Sequence, residues 1–409
     1  MPHRTLAVLV LLAFIVAGCV GSAPPPTATP PPAQPSRPAA TPTGAPGAPT
    51  PRPTPLISSE PPVIGVGEPV VHVFLWGRPD TTERDLRLAR AAGFTWVKQR
   101  FEWRFIEADA NDQFGWDEPD RIVNAVNQAG LKLLARVDNQ PRWARKDGLF
   151  PGAGPPDNLQ DWADFLTALA TRYRGRIQAY QLWNEPNLDR EWGNRRPSAK
   201  EYAELLRVGY QAIKRADPNA YVISAGLSPT TNQSDQAWPD VLYLDELYQA
   251  GAKPYFDILG VHAAGFRSEP EEDPAVVAHD RARTNEDPSP VERRRVYAFR
   301  HVEDLRAVMV KHGDAEKTVA ILEMGWTSDT RPDSPYAWHS VSEEEKADYL
   351  VRAFKWARAH WAPWMGLMTV IYLPDPAWTP KDEQYHWSIT NGDGTPRPAY
   401  QALKAYLTQ

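Results

Sequence analysis

From residue 69 onward the chain alternates short apolar runs with longer stretches whose apolar residues recur at helical spacing. The runs are "PVVHVFLW" (69–76), "TWVKQR" (95–100), "LKLLARV" (131–137), "IQAYQLW" (177–183), "AYVISAG" (220–226), "FDILGVH" (256–262), "TVAILEM" (318–324) and "GLMTVIYL" (366–373). Each is rich in branched or aromatic residues and largely apolar on both faces, as parallel strands buried from both sides are. Between them, helix starts are legible. "SAKE" (198–201) and "SEEE" (342–345) read as capping boxes, in which the serine and the glutamate three residues on satisfy each other's free backbone amides. "DTTE" (80–83) and "DNLQ" (157–160) read as starts with the aspartate as cap. The stretch 294–313 spaces its apolar residues as one helix ending at a glycine. Strands and helices alternating in this way predict an α/β fold, a (β/α)8 TIM barrel. An open doubly wound sheet would want a Gly-rich phosphate loop after the first strand, and none is there.

The barrel pattern does not reach back to residue 1. "MPHRTLAVLVLLAFIVAGC" (1–19) has a basic start at Arg4, an apolar run from Leu6 to Val16, and small residues before Cys19. That is a secretory signal, too short and wrongly flanked for a stable membrane span. Its ending "VAGC" resembles the lipobox of bacterial lipoproteins, in which the cysteine is lipidated and becomes the first mature residue; the alternative is an ordinary signal peptide that contains a cysteine. Cys19 is the only cysteine in the chain, which forbids an internal disulfide and favours the lipid anchor. Residues 20–62 carry sixteen of the 42 prolines among Thr, Ala and Gly, and predict a disordered, polyproline-like linker. At roughly 3.1 Å per residue, such a linker holds a domain on the order of 100 Å from a membrane. Residues 63–409 then form a single catalytic domain, expected outside the cell and tethered to its membrane.

Charge narrows the partners. The formal net charge of −6 comes from interspersed acids and bases, and without a basic stripe nucleic acid is excluded as a partner. A metal-dependent hydrolase would want His-x-His or several strand-end histidines and aspartates, and only scattered ones occur. The expectation is therefore a monomer with no cofactor and no metal.

In a barrel of this kind, chemistry gathers at the C-terminal ends of the strands. The polar residues there are Lys98 and Arg100 in the second run, Asp138 after the third, Asn184 and Glu185 after the fourth, His262 after the sixth, Glu323 in the seventh and Tyr372 in the eighth. Glu185 and Glu323 stand out, because strands four and seven lie on opposite sides of an eight-strand ring. Splitting a glycosidic bond takes two carboxyl groups in different protonation states. One keeps its proton to give to the leaving oxygen; the other stays ionised to attack the anomeric carbon. Two carboxylates facing each other across about 5 Å of a partly dry pit provide this, since the first charge raises the pKa of its neighbour.

"WNEP" (183–186) with "LEMGW" (322–326) resembles the clan A glycoside hydrolases, retaining (β/α)8 enzymes that include the cellulase-like family 5 and the xylosidase-like family 39. The resemblance runs over roughly residues 65–408 and includes the closing "WSITNGDGTPRPAYQALKAYL". It implies that Glu185 is the acid/base, that Asn184 binds the 2-hydroxyl of the attacked sugar, and that Glu323 is the nucleophile. Relatives place one cation near the second strand, and Lys98 and Arg100 both have the parity for it. His262 in "GVHAAG" matches their sixth-strand histidine. Where many carry a tyrosine two residues later, whose phenol steadies the nucleophile, this chain has Ala264, leaving Tyr372 as the candidate substitute.

Aromatic residues complete the expectation. Trp103, Trp143, Trp183, Trp192, Trp326 and Trp378 sit at or just beyond strand ends, where indole faces stack on pyranose rings. Packing is expected to occupy at least half of them, with Trp326 as the sugar platform and Trp378 also against substrate. Residues 263–293 form a long charged loop, either a flap over the site or a solvated insertion. The function expected is a retaining glycoside hydrolase acting on β-linked glycosides or polysaccharides. The alternative is a non-catalytic sugar-binding surface lipoprotein on the same barrel, which would have no need of both glutamates.

Overall fold

The computed structural model describes residues 60–409. The expected signal peptide, Cys19 and nearly all of the expected linker lie outside the described residues. Eight strands close in sequence order into a parallel barrel: β1 (Glu68–His72), β2 (Trp96–Glu102), β3 (Lys132–Asp138), β4 (Ala179–Leu182), β5 (Tyr221–Ser224), β6 (Ile258–Ala264), β7 (Thr318–Gly325) and β8 (Met365–Val370). The principal helices are α1 (Pro79–Ala91), α2 (Asp117–Gln128), α3 (Leu159–Arg172), α4 (Ala199–Ala216), α5 (Asp240–Gln249), α6 (Val302–Lys311), α7 (Glu343–His360) and α8 (Pro398–Leu407). The architecture is the (β/α)8 barrel that the alternation predicts.

Local chemistry decides how the helices begin, not always as the sequence suggests. Ser342 and Glu345 form a complete capping box on α7. Ser198 caps α4 by accepting from the Glu201 amide. Asn158, not Asp157, caps α3, accepting from the Gln160 amide. In α1, Arg78 occupies the cap without a side-chain bond and Pro79 opens the helix, so Asp80 lies in the first turn. Proline suits that position because its fixed φ is already helical and its missing N–H would have had no partner. The stretch 294–313 is not one helix. Two 3-10 turns, Arg295–Tyr297 and Phe299–His301, flank an extended Ala298 before α6 begins. The break seats the buried His301 ring between Asp240 and Asp304, both 2.9 Å away.

The barrel interior changes character along its axis. Every strand gives an apolar residue to one inner cluster, the floor: Val70, Trp96, Leu134, Ala179, Ile223, Ile258, Ala320 with Leu322, and Leu367. Side chains alternate along a strand, so the residue two further on faces the same way. Those residues are His72, Lys98, Arg136, Gln181 and Thr369, all buried. A dry hydrocarbon floor thus carries a polar and charged layer, and the strand ends open above it.

Residues 263–293 are an ordered insertion with a short helix, Pro274–His279, and a helical turn, Val291–Arg294. Its charges are paired. Glu269 and Glu271 meet Arg352 on α7, Arg283 meets Glu272, and Asp287 accepts from Thr231 and Tyr297, both at 2.7 Å.

Candidate active site

Glu323 owes its direction to an irregularity in β7. Pairing runs Val261 to Ile321 and then His262 to Glu323, skipping Leu322. Such a bulge gives two consecutive residues the same side of the sheet. Leu322 accordingly stays in the floor while Glu323 joins the charged layer. There its Oε1 lies 3.3 Å from Lys98 Nζ and 3.5 Å from Arg136 Nη1. Lys98 also donates to the Leu322 carbonyl at 2.9 Å, and Arg136 Nε donates to Asp138 at 2.5 Å, so both cations are fixed.

Burial would push the Glu323 carboxyl up, but His262, Lys98 and Arg136 override it and hold the group well below the usual carboxylate range. His72 also faces this carboxylate, yet burial and Lys98 drive that ring neutral, which leaves His262, the lysine and the arginine as the groups that draw Glu323 down. Burial, opposed by Glu323 and aided by Arg136, brings Lys98 down to about 8, so it remains mostly charged at neutral pH.

Glu185 lies just past β4 on a strained backbone. Its φ is +42° and that of Trp183 is +72°, in a left-handed region that side chains of this size rarely occupy. Such positions cost on the order of 1–3 kcal/mol each, and here surrounding bonds hold them. The Glu185 amide donates to the Gly226 carbonyl (3.0 Å), the Trp183 amide to Val137 (2.9 Å), and the Trp183 indole to the Glu191 carbonyl (2.9 Å).

The carboxylate is buried and has both oxygens engaged, Oε1 with His262 Nδ1 at 3.1 Å and Oε2 with Arg190 Nη2 at 2.8 Å. Burial pushes the group up, but the His262 hydrogen bond and the Arg190 charge outweigh it and the net direction is down. The sequence reading expects the opposite for a proton donor. The charge of Glu323 does push Glu185 upward as expected, but as the weakest of these influences.

Other expected residues are distributed unevenly. Asn184 is buried beside Glu185, its Oδ1 accepting from Gln181 at 3.3 Å. His262 faces Glu185 directly, and its ring lies over Gly226, where a Cβ would come within 2.1 Å of it. Lys98, not Arg100, reaches Glu323; Arg100 turns to Glu102 at 2.8 Å. Tyr372 follows a cis peptide after β8 and feels the Glu323 charge, but Lys98 and Arg136 make the contacts expected of a phenol. Trp378 is half-buried at the barrel mouth, edge-on to Phe74 (4.5 Å) and Tyr372 (5.3 Å).

Trp326 does not line the site. It is fully buried against Gly265, Phe299 and Tyr349, and its indole donates to the Ser268 carbonyl at 2.9 Å. Three positions past an inward Glu323, it falls on the outward side of the chain. Trp103, Trp183 and Trp192 are likewise buried, in a ladder of rings running Trp103, Trp162, Trp183, Trp192, Tyr202 with centroids 5.5 to 6.1 Å apart. Trp143 is half-buried, edge-on to Trp103.

Four site groups go unnamed in the sequence reading: His72, Arg136, Arg190 and Glu191. Among the described residues, no group of three or more His, Cys, Asp or Glu is arranged to hold a metal ion.

Residues 58–248, which include β4 and Glu185, match the model of the family described as Cellulase (glycosyl hydrolase family 5). Solved structures share the fold of this chain. A family 39 glycoside hydrolase from Bacteroides cellulosilyticus WH2 is 21% identical with a TM-score of 0.59, covering 83% of this chain and 63% of its own. A family 39 β-xylosidase from Caulobacter crescentus is 17% identical (TM-score 0.57; 85% of this chain and 72% of its own). An exo-β-1,4-mannosidase from Opitutaceae bacterium strain TAV5 is 13% identical (TM-score 0.53; 86% and 62%). The chain thus spans just under two thirds of the first and third of these structures. No curated protein matches it.

Proposed function

We propose that the protein is a retaining glycoside hydrolase that cleaves β-linked glycosides or polysaccharides by double displacement, with Glu185 as acid/base and Glu323 as nucleophile. One observation carries the reading: Glu185 past β4 meets His262, whose charge also draws down Glu323 on β7, and Glu323 stands against two immobilised cations that help keep it ionised. In the first step, ionised Glu323 attacks the anomeric carbon while protonated Glu185 gives its proton to the departing oxygen. A glycosyl ester on Glu323 results. In the second step Glu185, now a base, takes a proton from water, which opens the ester and restores both groups. Asn184 beside the acid is placed for the 2-hydroxyl and Trp378 at the mouth for a sugar face. Xylosides and mannosides are the first substrates to try, from the activities named for the fold relatives.

A second reading, sugar binding without turnover, draws support from the two engaged oxygens of Glu185. Aryl β-glycosides and polysaccharides incubated with the full chain separate the two. Hydrolysis that falls by three or more orders of magnitude in both Glu185→Gln and Glu323→Gln is the expected result. Binding with no hydrolysis by the wild type would favour the second reading. For location we propose an extracellular enzyme tethered through lipidated Cys19; release of Cys19→Ala from sedimented membranes is expected, and continued pelleting would refute the anchor.

A further inference from the structure

Both oxygens of Glu185 are engaged, so neither stands free for a glycosidic bond. Its two contacts differ in how readily they can yield. His262 is 4% exposed, belongs to β6 and is boxed in over Gly226. Arg190 is 29% exposed and projects from a 3-10 turn, Asp189–Glu191. The backbone of that turn is pinned, with the Asp189 amide on the Gln236 carbonyl and the Trp183 indole on the Glu191 carbonyl. A swing of Arg190 is therefore a side-chain event. Its alternative partner is adjacent: Arg190 Nε is 3.9 Å from Glu191 Oε1 and Nη2 is 2.8 Å from Glu185 Oε2, so the guanidinium lies between two carboxyl groups.

We propose that Arg190 and Glu191 are positioning residues for the proton on Glu185: Arg190 clasps Glu185 as observed and passes to Glu191 when a glycoside enters, freeing Oε2 of Glu185 to carry a proton to the leaving group. The inference rests on the acid/base assignment above. Its proton balance closes. In the clasped state Glu185 is ionised and Glu191 protonated; after the exchange Glu191 has lost a proton to water and Glu185 has gained one. The net charge of the pit is unchanged, which matters where an added buried charge would be costly. Burial, against the pull of Arg136 and Arg190, places Glu191 at about 7, where either form is accessible. The other charged or titratable groups facing this trio are His262 from β6, Glu323 from β7, Arg136 and Asp138 from β3, and Tyr336, Tyr372 and Glu383 from the later loops.

The test uses infrared difference titration of carboxyl groups in the full chain, with Glu185→Gln and Glu191→Gln identifying the two signals. Arg190→Gln should move the Glu185 midpoint up by about one pH unit or more, a tenfold change in acidity, and Arg190→Lys should recover at least half of it. Glu185→Gln imitates the protonated acid and should lower the Glu191 midpoint by about a unit. Most of that drop should vanish in Glu185→Gln/Arg190→Gln, since no guanidinium remains to cross over. A Glu185 midpoint indifferent to Arg190, or a Glu191 drop that survives in the double variant, would overturn the proposal. These titrations need no turnover. Absence of hydrolysis by the wild type would count against the functional reading and leave the clasp to be judged on its own data.

Discussion

Replacing Lys98 by methionine tests the charged layer most directly, because fold and chemistry should respond differently. Lys98 is fully buried, and burial brings it from the usual 10.5 to about 8. Keeping it charged below pH 8 therefore costs the folded state about 3 kcal/mol, which methionine removes. That figure is already net of the attraction to Glu323, 3.3 Å away, which burial outweighs. Arg136 remains at 3.5 Å and the floor beneath is untouched. The melting temperature should therefore hold or rise, by no more than about 4 °C.

Chemistry should not be spared. Glu323 titrates below its ordinary 4.5 in the wild type, so its ion pairs stabilise the fold above that pH and are lost only as pH falls through the depressed value. Without Lys98 the Glu323 midpoint should rise toward the ordinary carboxylate range, with His262 and Arg136 still holding it below. The acid limb of kcat/KM that belongs to this group should then lie at higher pH than in the wild type. Pre-steady-state rates on an activated aryl β-glycoside, which needs little help from the acid, report the limb without interference from Glu185. Coincident acid limbs for Lys98→Met and wild type would refute the electrostatic role; collapse of the fold would show the lysine to be structural.

Three further outcomes follow from particular contacts. Gly226→Ala places a Cβ within 2.1 Å of His262, so the ring must leave Glu185; kcat/KM should fall about 100-fold with an unchanged circular dichroism spectrum, and a wild-type rate would show that the ring does not matter. Trp326→Ala should cost about 3–5 kcal/mol in urea unfolding with KM unchanged, whereas Trp378→Ala should raise KM about tenfold at little cost in stability; the reverse would restore Trp326 as the platform. His301 is opposed by burial but raised by Asp240 and Asp304 to about 9, so its pairing stabilises fully below pH 6.5 and is lost as pH rises toward 9. The wild type should lose about 3 kcal/mol across that window relative to His301→Gln, and parallel pH–stability curves would contradict it.

The barrel was legible because a strand buried on both faces has to be apolar throughout, and eight such runs leave few architectures open. The two glutamates were legible for the complementary reason: a carboxylate closing an apolar run is conspicuous. What failed depended on register. Nothing in "AILEMGW" reveals the extra residue at Leu322, so the side on which Trp326 falls could not be read from alternation. Asp157 and Asn158 are both competent caps, and only the helix phase chooses between them. Arg136 did leave a sign, a charged residue inside "LLARV" at the parity of Leu134, which only a barrel with a polar upper layer can accommodate. Arg190 and Glu191 left none, since they stand in a polar loop where any charge would be unremarked.

The contrast between the two carboxylates is one of fixity. Both are buried, and both are drawn down by cations against the cost of burial. The lysine and arginine that face Glu323 issue from β2 and β3 and are held by the Leu322 carbonyl and Asp138, so they cannot move without disturbing the barrel wall. The cation of Glu185 issues from a turn, stands partly in solvent, and has a second carboxyl within reach. A group that must be ionised at the moment of attack profits from counter-charges that never leave. A group that must carry a proton in one half of a cycle and lack it in the other needs a counter-charge that can be withdrawn. Equal side chains at two strand ends are thus made unequal by the rigidity of what faces them.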